Sequence, residues 1–448
     1  MNEMKQLEDR YQAIPPPAPQ RLAQARARVL TAITGPSPAR RGGRWRWPAT
    51  VSKLGRRSKG WLAPLAAAAA VTAVIVGVLN AATALHSPPA RTTAPPVHPA
   101  TAYVLGFGSP GRVTPGTVTP IDTATHTALP SIKVGAYPRD IAFTPDGKTA
   151  YVVSVEPQPC TVTPIRTATN TALAPIPVGR GCPLDRGIAM APNGKTVYIA
   201  TTGAVVRIDT ATNTVLRPIK VGGRTNNALV ITPNGKTAYI AVPHSGAKPG
   251  TVVPIDLATN TVLPPVKVGV WPRDIVITPN GRTVYVANTL SGTVTPIDTA
   301  TNTALPPIKV GAQDLWTMAI TPNGRTLYVA NAQSGEVTPI NTATNTALPP
   351  IKVGPIPWTI AITPNGKTAY VPVTSTRTVV PINTATNTAL PPIKVGAGSG
   401  DIAIAPNGKT AYVPDAVAGT VIPINTATNT VLRPIKTAID PREIAFAP

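Results

Sequence analysis

The chain has 448 residues, with 55 Pro and 35 Gly, only 13% charged and 4% aromatic residues, and a formal net charge of +23. Because 43% of the residues are hydrophobic, the chain can bury a large core, which excludes a wholly disordered protein. Its two cysteines exclude a disulfide-dense scaffold and a metal site built from cysteines alone.

Residues 1–60 are predicted to form a basic cytoplasmic segment, with 13 Lys and Arg against three Asp and Glu. Within it, residues 19–33 place apolar side chains along one stripe, which predicts a short helix. This helix is either a weakly ordered tail or a docking site for a cytoplasmic regulatory protein. The stretch LEDRYQAIPPPAPQRLAQARARVLTAI resembles the cytoplasmic starts of bacterial single-pass proteins associated with sigma factors, and this resemblance implies a sigma factor as the partner.

The segment Trp61–Leu79 is predicted to be a transmembrane helix, because its 19 residues carry no charge and suffice to cross a bilayer core. Eight basic residues lie between Arg40 and Lys59, so the positive-inside rule puts the N-terminus in the cytoplasm and the chain after about residue 86 outside. We expect this basic cluster to contact anionic lipid rather than nucleic acid, since it adjoins a membrane segment. A secretory signal is the alternative, because residues 82–84 (Ala-Thr-Ala) resemble a cleavage site.

A Pro-rich linker is predicted at 86–100, and from residue 101 onward the sequence repeats a unit of four strand-like segments. One unit runs from Asp274 to Gly311, and its segments IVITP, RTVYV, GTVTPID and LPPIKVG are called strands a, b, c and d. Seven Pro-Asn-Gly or Pro-Asp-Gly turns recur 41 to 47 residues apart. A period of this length with four short strands is typical of a β-propeller.

The sequence YVAN, at Tyr285–Asn288 and again at Tyr328–Asn331, resembles the signature of the YVTN-repeat β-propellers of the surface-layer type. The likeness covers nearly all of residues 101–448. It implies an all-β propeller and says almost nothing about function.

The repeat count predicts eight four-stranded antiparallel blades. Strands b, c and d occur eight times, but the first strand a is missing at the N-terminus and appears as Ile444–Phe446 at the other end. A blade that combines this C-terminal strand with N-terminal strands would close the ring without an exposed edge. If that blade does not form, a seven-bladed ring is the alternative.

The chain reverses at each strand end, so the a–b and c–d turns are predicted on one face and the b–c and d–a connections on the other. The first face repeats the motifs PNG and TATNT, whereas the second varies from unit to unit. Both ends of the domain lie at the a–b side. The variable face should therefore point away from the membrane, where an extracellular ligand or protein could reach it.

Charged and aromatic side chains recur in the d–a connections, just before strand a. Arg, Asp and Trp around one opening can bind a polar or sugar-like ligand through charge-assisted hydrogen bonds and stacking, or they can serve as contacts between blades. Two further units carry Arg186 and Asn227 there. The candidate ligand-binding residues are Arg139, Asp140, Arg273, Asp274, Trp316, Trp358, Asp401, Arg442 and Glu443.

The cysteines Cys160 and Cys182 are both predicted on the variable face, where a disulfide is plausible and two free thiols are the alternative. The four His do not converge, so no metal and no cofactor are predicted.

The combined pattern predicts a non-enzymatic, single-pass cell-envelope protein that presents an extracytoplasmic propeller to a ligand. One alternative is a transmembrane regulator that docks a sigma factor. Another is a lactonase-like enzyme that works in the channel, which rests on an analogy of fold.

Overall fold

The fold is given by a computed structural model. The predicted segments 1–60 and 61–79 and the linker up to residue 99 lie outside the described residues. No helix of the described part is long and apolar enough to cross a membrane. The structure describes residues 100–107, 115–156, 158–182, 187–223, 228–311, 313–396, 398, 400–437 and 440–448.

Strands form where β-branched and aromatic residues alternate between tight turns. Within the described ranges, 39 strands make eight antiparallel sheets, numbered as blades 1 to 8. Blades 1 to 4 contain, in chain order, β1 (Thr101–Gly106), β2 (Gly116–Asp122), β3 (Thr127–Ala128), β4 (Ile132–Val134); β5 (Ala136–Phe143), β6 (Thr149–Glu156), β7 (Cys160–Arg166), β8 (Thr171–Ala172), β9 (Ile176–Gly179); β10 (Ile188–Met190), β11 (Thr196–Thr201), β12 (Ala204–Asp209), β13 (Thr214–Lys220); β14 (Leu229–Ile231), β15 (Thr237–Val242), β16 (Pro249–Asp256), β17 (Thr261–Val262) and β18 (Val266–Val270).

The second half of the ring repeats the same arrangement, and the last strand returns to blade 1. The remaining strands are β19 (Pro272–Ile277), β20 (Thr283–Asn288), β21 (Thr293–Asp298), β22 (Thr303–Ala304), β23 (Ile308–Lys309); β24 (Leu315–Ile320), β25 (Thr326–Asn331), β26 (Glu336–Asn341), β27 (Thr346–Ala347), β28 (Ile351–Lys352); β29 (Ala361–Ile362), β30 (Thr368–Val373), β31 (Thr378–Asn383), β32 (Thr388–Ala389), β33 (Ile393–Lys394); β34 (Ala403–Ile404), β35 (Thr410–Asp415), β36 (Thr420–Asn425), β37 (Thr430–Val431), β38 (Ile435–Lys436); and β39 (Pro441–Phe446).

The ring closes as the repeat count predicts. Strand β39 pairs antiparallel with β1, with Tyr103 opposite Ala445 and Val104 opposite Ile444. Blade 1 therefore combines a C-terminal strand a with N-terminal strands b, c and d. The eight-bladed prediction is confirmed, and the seven-bladed alternative is wrong.

The outermost strand differs from the prediction of one continuous strand d. In most blades it consists of two short pieces that both pair with strand c, as β22 and β23 pair with β21. The residues between these pieces include Pro306 and Pro307, which have no N–H to donate to the ladder. Proline therefore limits pairing at the outer edge, which also discourages edge-to-edge aggregation.

The core lies between neighbouring blades. Strand b is buried along almost its whole length, as in β20 and β25. One apolar cluster joins Tyr285 and Val294 of blade 5 to Met318, Leu327 and Val329 of blade 6. Because each sheet uses both faces for such contacts, no blade can bury its apolar surface alone.

The repeated tyrosine of strand b forms a hydrogen bond to the next blade. Its hydroxyl donates to the Oδ1 atom of the Asn in the neighbouring c–d turn. This Asn lies in the left-handed region, with φ between 51° and 59°, which Asn tolerates better than most residues. The pairs, with O···O distances of 2.6 to 3.0 Å, are Tyr103–Asn170, Tyr151–Asn213, Tyr239–Asn302, Tyr285–Asn345, Tyr328–Asn387 and Tyr370–Asn429.

Two blade junctions vary this contact. At the closing junction, Tyr412 contacts the Nδ1 atom of His126 at 3.1 Å, and His126 occupies the Asn position with the same left-handed backbone. Between blades 3 and 4, Asn260 accepts a hydrogen bond from Arg207 at 2.7 Å. A polar contact therefore crosses all eight junctions, although its donor changes once.

The two ends of the propeller lie on the face of the a–b and c–d turns. The Ala100 carbonyl accepts a hydrogen bond from the Thr123 hydroxyl in a c–d turn. At the other end, Pro448 lies beside Gly147 in an a–b turn. This agrees with the predicted assignment of turns and ends to one face, which we call the turn face; the opposite face is the mouth face.

We expect Tyr285→Phe to lower the free energy of unfolding by about 1 kcal/mol, because it removes the hydroxyl that bonds Asn345 while keeping the buried ring. Tyr198→Phe is the matched control, since Arg207 already bonds the Asn260 amide oxygen at that junction. Urea unfolding followed by tryptophan fluorescence measures both. Equal losses in the two variants would contradict a specific role for the tyrosine–asparagine bond.

Candidate functional site

A cavity opens at the centre of the mouth face, with a volume of about 330 Å³. All nine candidate residues line it, and they come from blades 1, 2, 5, 6, 7 and 8. The cavity also contacts Phe107, Ala228, Thr317, Thr359 and Thr374. Its volume is at the low end of the range of small-molecule sites.

A repeated backbone device projects the side chains into this cavity. In four blades the pairing of strand a with strand b skips one residue of strand a, which is the extra residue of a β-bulge. The skipped residues are Arg139, Arg273, Trp316 and Arg442. A bulge redirects a side chain and ends regular pairing. In four blades it thus places an Arg or a Trp at the mouth.

The residues two positions before Arg139, Arg273, Trp316, Trp358 and Arg442 have left-handed backbones. Tyr137, Trp271 and Ile356 have φ of 50°, 59° and 58°, and Asp314 and Asp440 have φ of 76° and 56°. The left-handed conformation is unfavourable for bulky residues and above all for a β-branched one such as Ile356. Gly would adopt this conformation without strain, yet the mouth has larger residues at these positions. Strained backbone conformations occur most often at functional sites.

The guanidinium groups at the mouth stack on aromatic rings. The Arg139 and Arg442 guanidinium carbons lie 4.7 and 5.8 Å from the centroid of Phe107. The Arg273 guanidinium lies 4.7 Å from the centroid of Trp316. Stacking holds a guanidinium by its face and leaves its N–H groups directed sideways, where they can donate hydrogen bonds. The Nε atom of Arg442 donates to Asp440 at 2.6 Å.

The two tryptophans meet at right angles on the far side of the cavity. Trp316 and Trp358 have ring centroids 3.9 Å apart and planes inclined by 72°. The Trp316 indole N–H donates to Asp314 at 2.5 Å, which fixes that ring. Trp358 remains 39% exposed, so its ring is available for stacking against a ligand.

The carboxylates connect neighbouring blades through backbone amides. Asp274 accepts hydrogen bonds from its own neighbour Ile275 at 3.0 Å and from Met318 of the next blade at 2.7 Å. Asp140 and Asp401 bond the amides of Ile188 and Ile444 in the same way, at 3.3 and 3.0 Å. Each of these Asp residues thus contacts a backbone amide of the next blade.

Two polar atoms at the cavity wall have no hydrogen-bond partner within the described residues. They are the Nε atom of Arg139 and the hydroxyl of Thr317, whose residue is only 3% exposed. Buried polar atoms are normally bonded, so an unpartnered donor beside a cavity indicates where a bound molecule can donate or accept.

The structure thus brings the predicted residues together but adds some that the sequence did not indicate. Phe107 was not a candidate, because its contacts with Arg139 of blade 2 and Arg442 of the C-terminal strand form only in the folded ring. Its position just after strand b was the available signal. Trp271 does not line the cavity, and Arg186 and Asn227 lie outside the described residues.

A disulfide joins Cys160 and Cys182, whose Cα atoms are 6.2 Å apart. It connects the start of β7 to the d–a connection after β9 on the mouth face. Among the described residues, no group of three His, Cys, Asp or Glu side chains could hold a metal ion.

Comparison with known proteins identifies the fold but no family. No family model matches the chain, and no curated protein matches it. Among solved structures, the chain resembles the dihydro-heme d1 dehydrogenase NirN in complex with DHE, with a TM-score of 0.66 and 14% identity over 81% of this chain and 77% of that one.

Two further structures resemble the propeller. Kuenenia stuttgartiensis hydrazine synthase matches with a TM-score of 0.53 and 21% identity over 65% of this chain and 96% of that one. A functionally unknown protein from Desulfotomaculum acetoxidans matches with a TM-score of 0.52 and 17% identity over 66% of this chain and 98% of that one. At these identities the comparisons show a shared propeller fold alone.

We expect Asp274→Ala to lower the free energy of unfolding by about 2 to 4 kcal/mol, because it leaves the amides of Ile275 and Met318 without their charged acceptor in a buried site. Asp401→Ala removes the equivalent hydrogen bond from Ile444 at a half-exposed position. It should lower the free energy of unfolding by less, since water can replace the carboxylate. Urea unfolding measures both. If Asp274→Ala lowered the free energy of unfolding by less than Asp401→Ala, the proposed role of Asp274 in joining neighbouring blades would be contradicted.

Proposed function

We propose that this protein is a non-enzymatic binding protein of the cell envelope, whose propeller takes a small anionic ligand in the cavity of the mouth face. The observation that carries the proposal is the convergence of Arg139, Arg273 and Arg442 around one cavity, each stacked on an aromatic ring. The unpartnered Nε atom of Arg139 supports an anion at that end.

The opposite wall favours a ligand with a flat or ring-shaped part. The exposed Trp358 offers its face, and the Thr317 hydroxyl in the wall of the same cavity can bond a polar substituent. A ring that carries a carboxylate or phosphate group therefore matches both walls.

Binding is favoured over catalysis because the carboxylates already have structural partners. An acid or base in the channel must exchange a proton with the substrate, yet Asp140, Asp274 and Asp401 each accept a hydrogen bond from a backbone amide of the next blade. The lactonase-like alternative would have to break these bonds between blades.

The setting of the proposed site rests on sequence features. The YVTN-type motifs support a cell-surface repeat protein, and the apolar segment 61–79 supports a single-pass anchor with the propeller outside the cytoplasm. A regulatory role through residues 19–33 and a sigma factor remains an alternative.

We expect the full chain, purified in detergent, to bind phenyl phosphate or glucuronate, and Arg139→Gln to weaken that binding by about 10- to 100-fold, the effect of losing a charge-assisted hydrogen bond. Isothermal titration calorimetry with citrate, glucuronate and phenyl phosphate measures the affinities. Glucose and phenol are the uncharged counterparts and should bind far more weakly.

The chain offers matched controls for both walls of the cavity. Trp358→Ala should weaken binding, whereas Trp271→Ala should not, although both tryptophans are 39% exposed. Arg433→Gln removes an exposed cation outside the cavity and should leave the affinity unchanged. Equal effects of Arg139→Gln and Arg433→Gln would contradict a specific anion site.

A further inference from the structure

The turn face carries a regular series of exposed cations. Each Pro-Asn-Gly or Pro-Asp-Gly turn is followed directly by a Lys or Arg, and each of these side chains is exposed. Because the a–b turns share one face, the cations lie around the ring where the chain enters. They are Lys148, Lys195, Lys236, Arg282, Arg325, Lys367 and Lys409.

The carboxylates of the turn face are not distributed evenly. Blades 1 to 5 each carry one, in an a–b turn or at the first position of a c–d turn. Blades 6 to 8 carry none there, because Asn341, Asn383 and Asn425 occupy that c–d position. The five carboxylates are Asp122, Asp146, Asp209, Asp256 and Asp298.

Turn geometry does not require this difference in charge. The Oδ1 atom of Asp298 accepts from the amide of Ala300 at 2.9 Å, and the Oδ1 atom of Asn341 accepts from Ala343 at the same distance. Asn and Asp therefore cap the same turn equally well. The loss of three carboxylates in consecutive blades changes the charge of the face and not its shape.

Each cation lies next to this variable position. The Arg282 carbonyl accepts from the amide of Thr299, which directly follows Asp298, and the Arg325 carbonyl accepts from Thr342, which follows Asn341. Backbone hydrogen bonds from Thr212, Thr259 and Thr301 lower the pKa values of Asp209, Asp256 and Asp298, so these carboxylates are charged at neutral pH.

Each of blades 3 to 5 thus carries a carboxylate as well as a cation on the turn face, whereas blades 6 to 8 carry the cation alone. Within the described residues, none of the cations of blades 3 to 8 in these turns forms an ion pair, so the two halves differ in local charge and not in pairing. The cations without a carboxylate in their blade are Arg325, Lys367 and Lys409. We call these three residues the cationic sector.

We propose that the cationic sector docks on a membrane surface that bears anionic lipid headgroups. The sector is exposed, lacks compensating carboxylates and lies on the face where the chain enters at Ala100. Only 20 residues separate Ala100 from the apolar segment that ends at Leu79.

The charge arithmetic supports a broad anionic surface rather than a single ion. Each Lys or Arg near an anionic membrane strengthens association about fivefold, and three such residues on neighbouring blades act together. The sector lies on the face opposite the cavity, so the proposal does not depend on the ligand of the mouth.

The test is lysine labelling of the full chain in lipid nanodiscs. One set of discs contains phosphatidylcholine alone, and the other contains 30% phosphatidylglycerol. With an amine-reactive acetylating reagent and mass spectrometry, we expect Lys367 and Lys409 to react at least about threefold more slowly in the anionic discs, and 0.5 M NaCl to abolish the difference because salt screens it. Lys195 and Lys236 are internal controls that should react equally in both discs.

Substitutions that preserve the turns separate charge from folding. The triple variant Asn341→Asp, Asn383→Asp and Asn425→Asp should lose the protection of Lys367 and Lys409, since each new carboxylate caps its turn and offsets the positive charge of its blade on the turn face. The reverse variant Asp209→Asn, Asp256→Asn and Asp298→Asn alters as many turns and should keep the protection.

Three outcomes would overturn the proposal. The first is equal labelling of Lys367 in the two kinds of disc. The second is equal slowing of Lys195 and Lys367 by the anionic lipid, which would mean attraction without a sector. The third is slower labelling of Lys367 when heparin is added to neutral discs, together with unchanged labelling in anionic discs. That result would assign the sector to a soluble polyanion instead.

Discussion

The hydrogen bond from a buried tyrosine to the next blade is the contact on which the ring depends. A propeller blade has two apolar faces, so the whole structure is a set of interfaces, and each interface must be both apolar and correctly registered. The tyrosine ring fills the apolar contact, and its hydroxyl fixes the position of the neighbouring turn, as in Tyr285 and Asn345. Burial raises the pKa of Tyr285 to about 12, so the hydroxyl remains a donor at neutral pH.

This contact explains why the turn face is uniform. The turn Thr-Ala-Thr-Asn-Thr must present an acceptor from a left-handed backbone, and Asn meets both requirements at low cost. At the closing junction His126 takes the same backbone and accepts or donates through Nδ1 to Tyr412. The repetition that identifies the fold is therefore the repetition of one junction, and the turn face has little freedom to vary in shape. Its charge can still change, since Asp and Asn cap these turns alike.

Strand patterning, turn chemistry and the displaced strand a were sufficient to predict the blade number, the closure and the assignment of loops to faces. Each depends on local rules that act within one repeat. The nine mouth residues were also predictable as a set, because equivalent positions in a ring face one axis. Their roles were not. Whether Asp274 bonds a ligand or the amide of Met318 depends on the spacing between blades, which no single repeat encodes.

The tyrosine–asparagine bond escaped prediction for the same reason. Tyr and Asn at fixed positions of one repeat give no sign that they meet across a junction. The split of strand d was predictable in principle, since two consecutive prolines cannot pair as a central strand does. The contacts of Phe107 could not be predicted from one repeat, because its partners Arg139 and Arg442 are about 30 and more than 300 residues away in the sequence.

The cavity and the closure of the ring are parts of one arrangement. Arg442 and Glu443 belong to β39, the strand that completes blade 1, and Phe107 directly follows β1. Asp401 reaches across the same junction to the amide of Ile444. One wall of the cavity therefore exists only when the two ends of the domain have paired, so ring closure completes the cavity. An open ring would keep its apolar blades but would lose the Arg442 contact with Phe107.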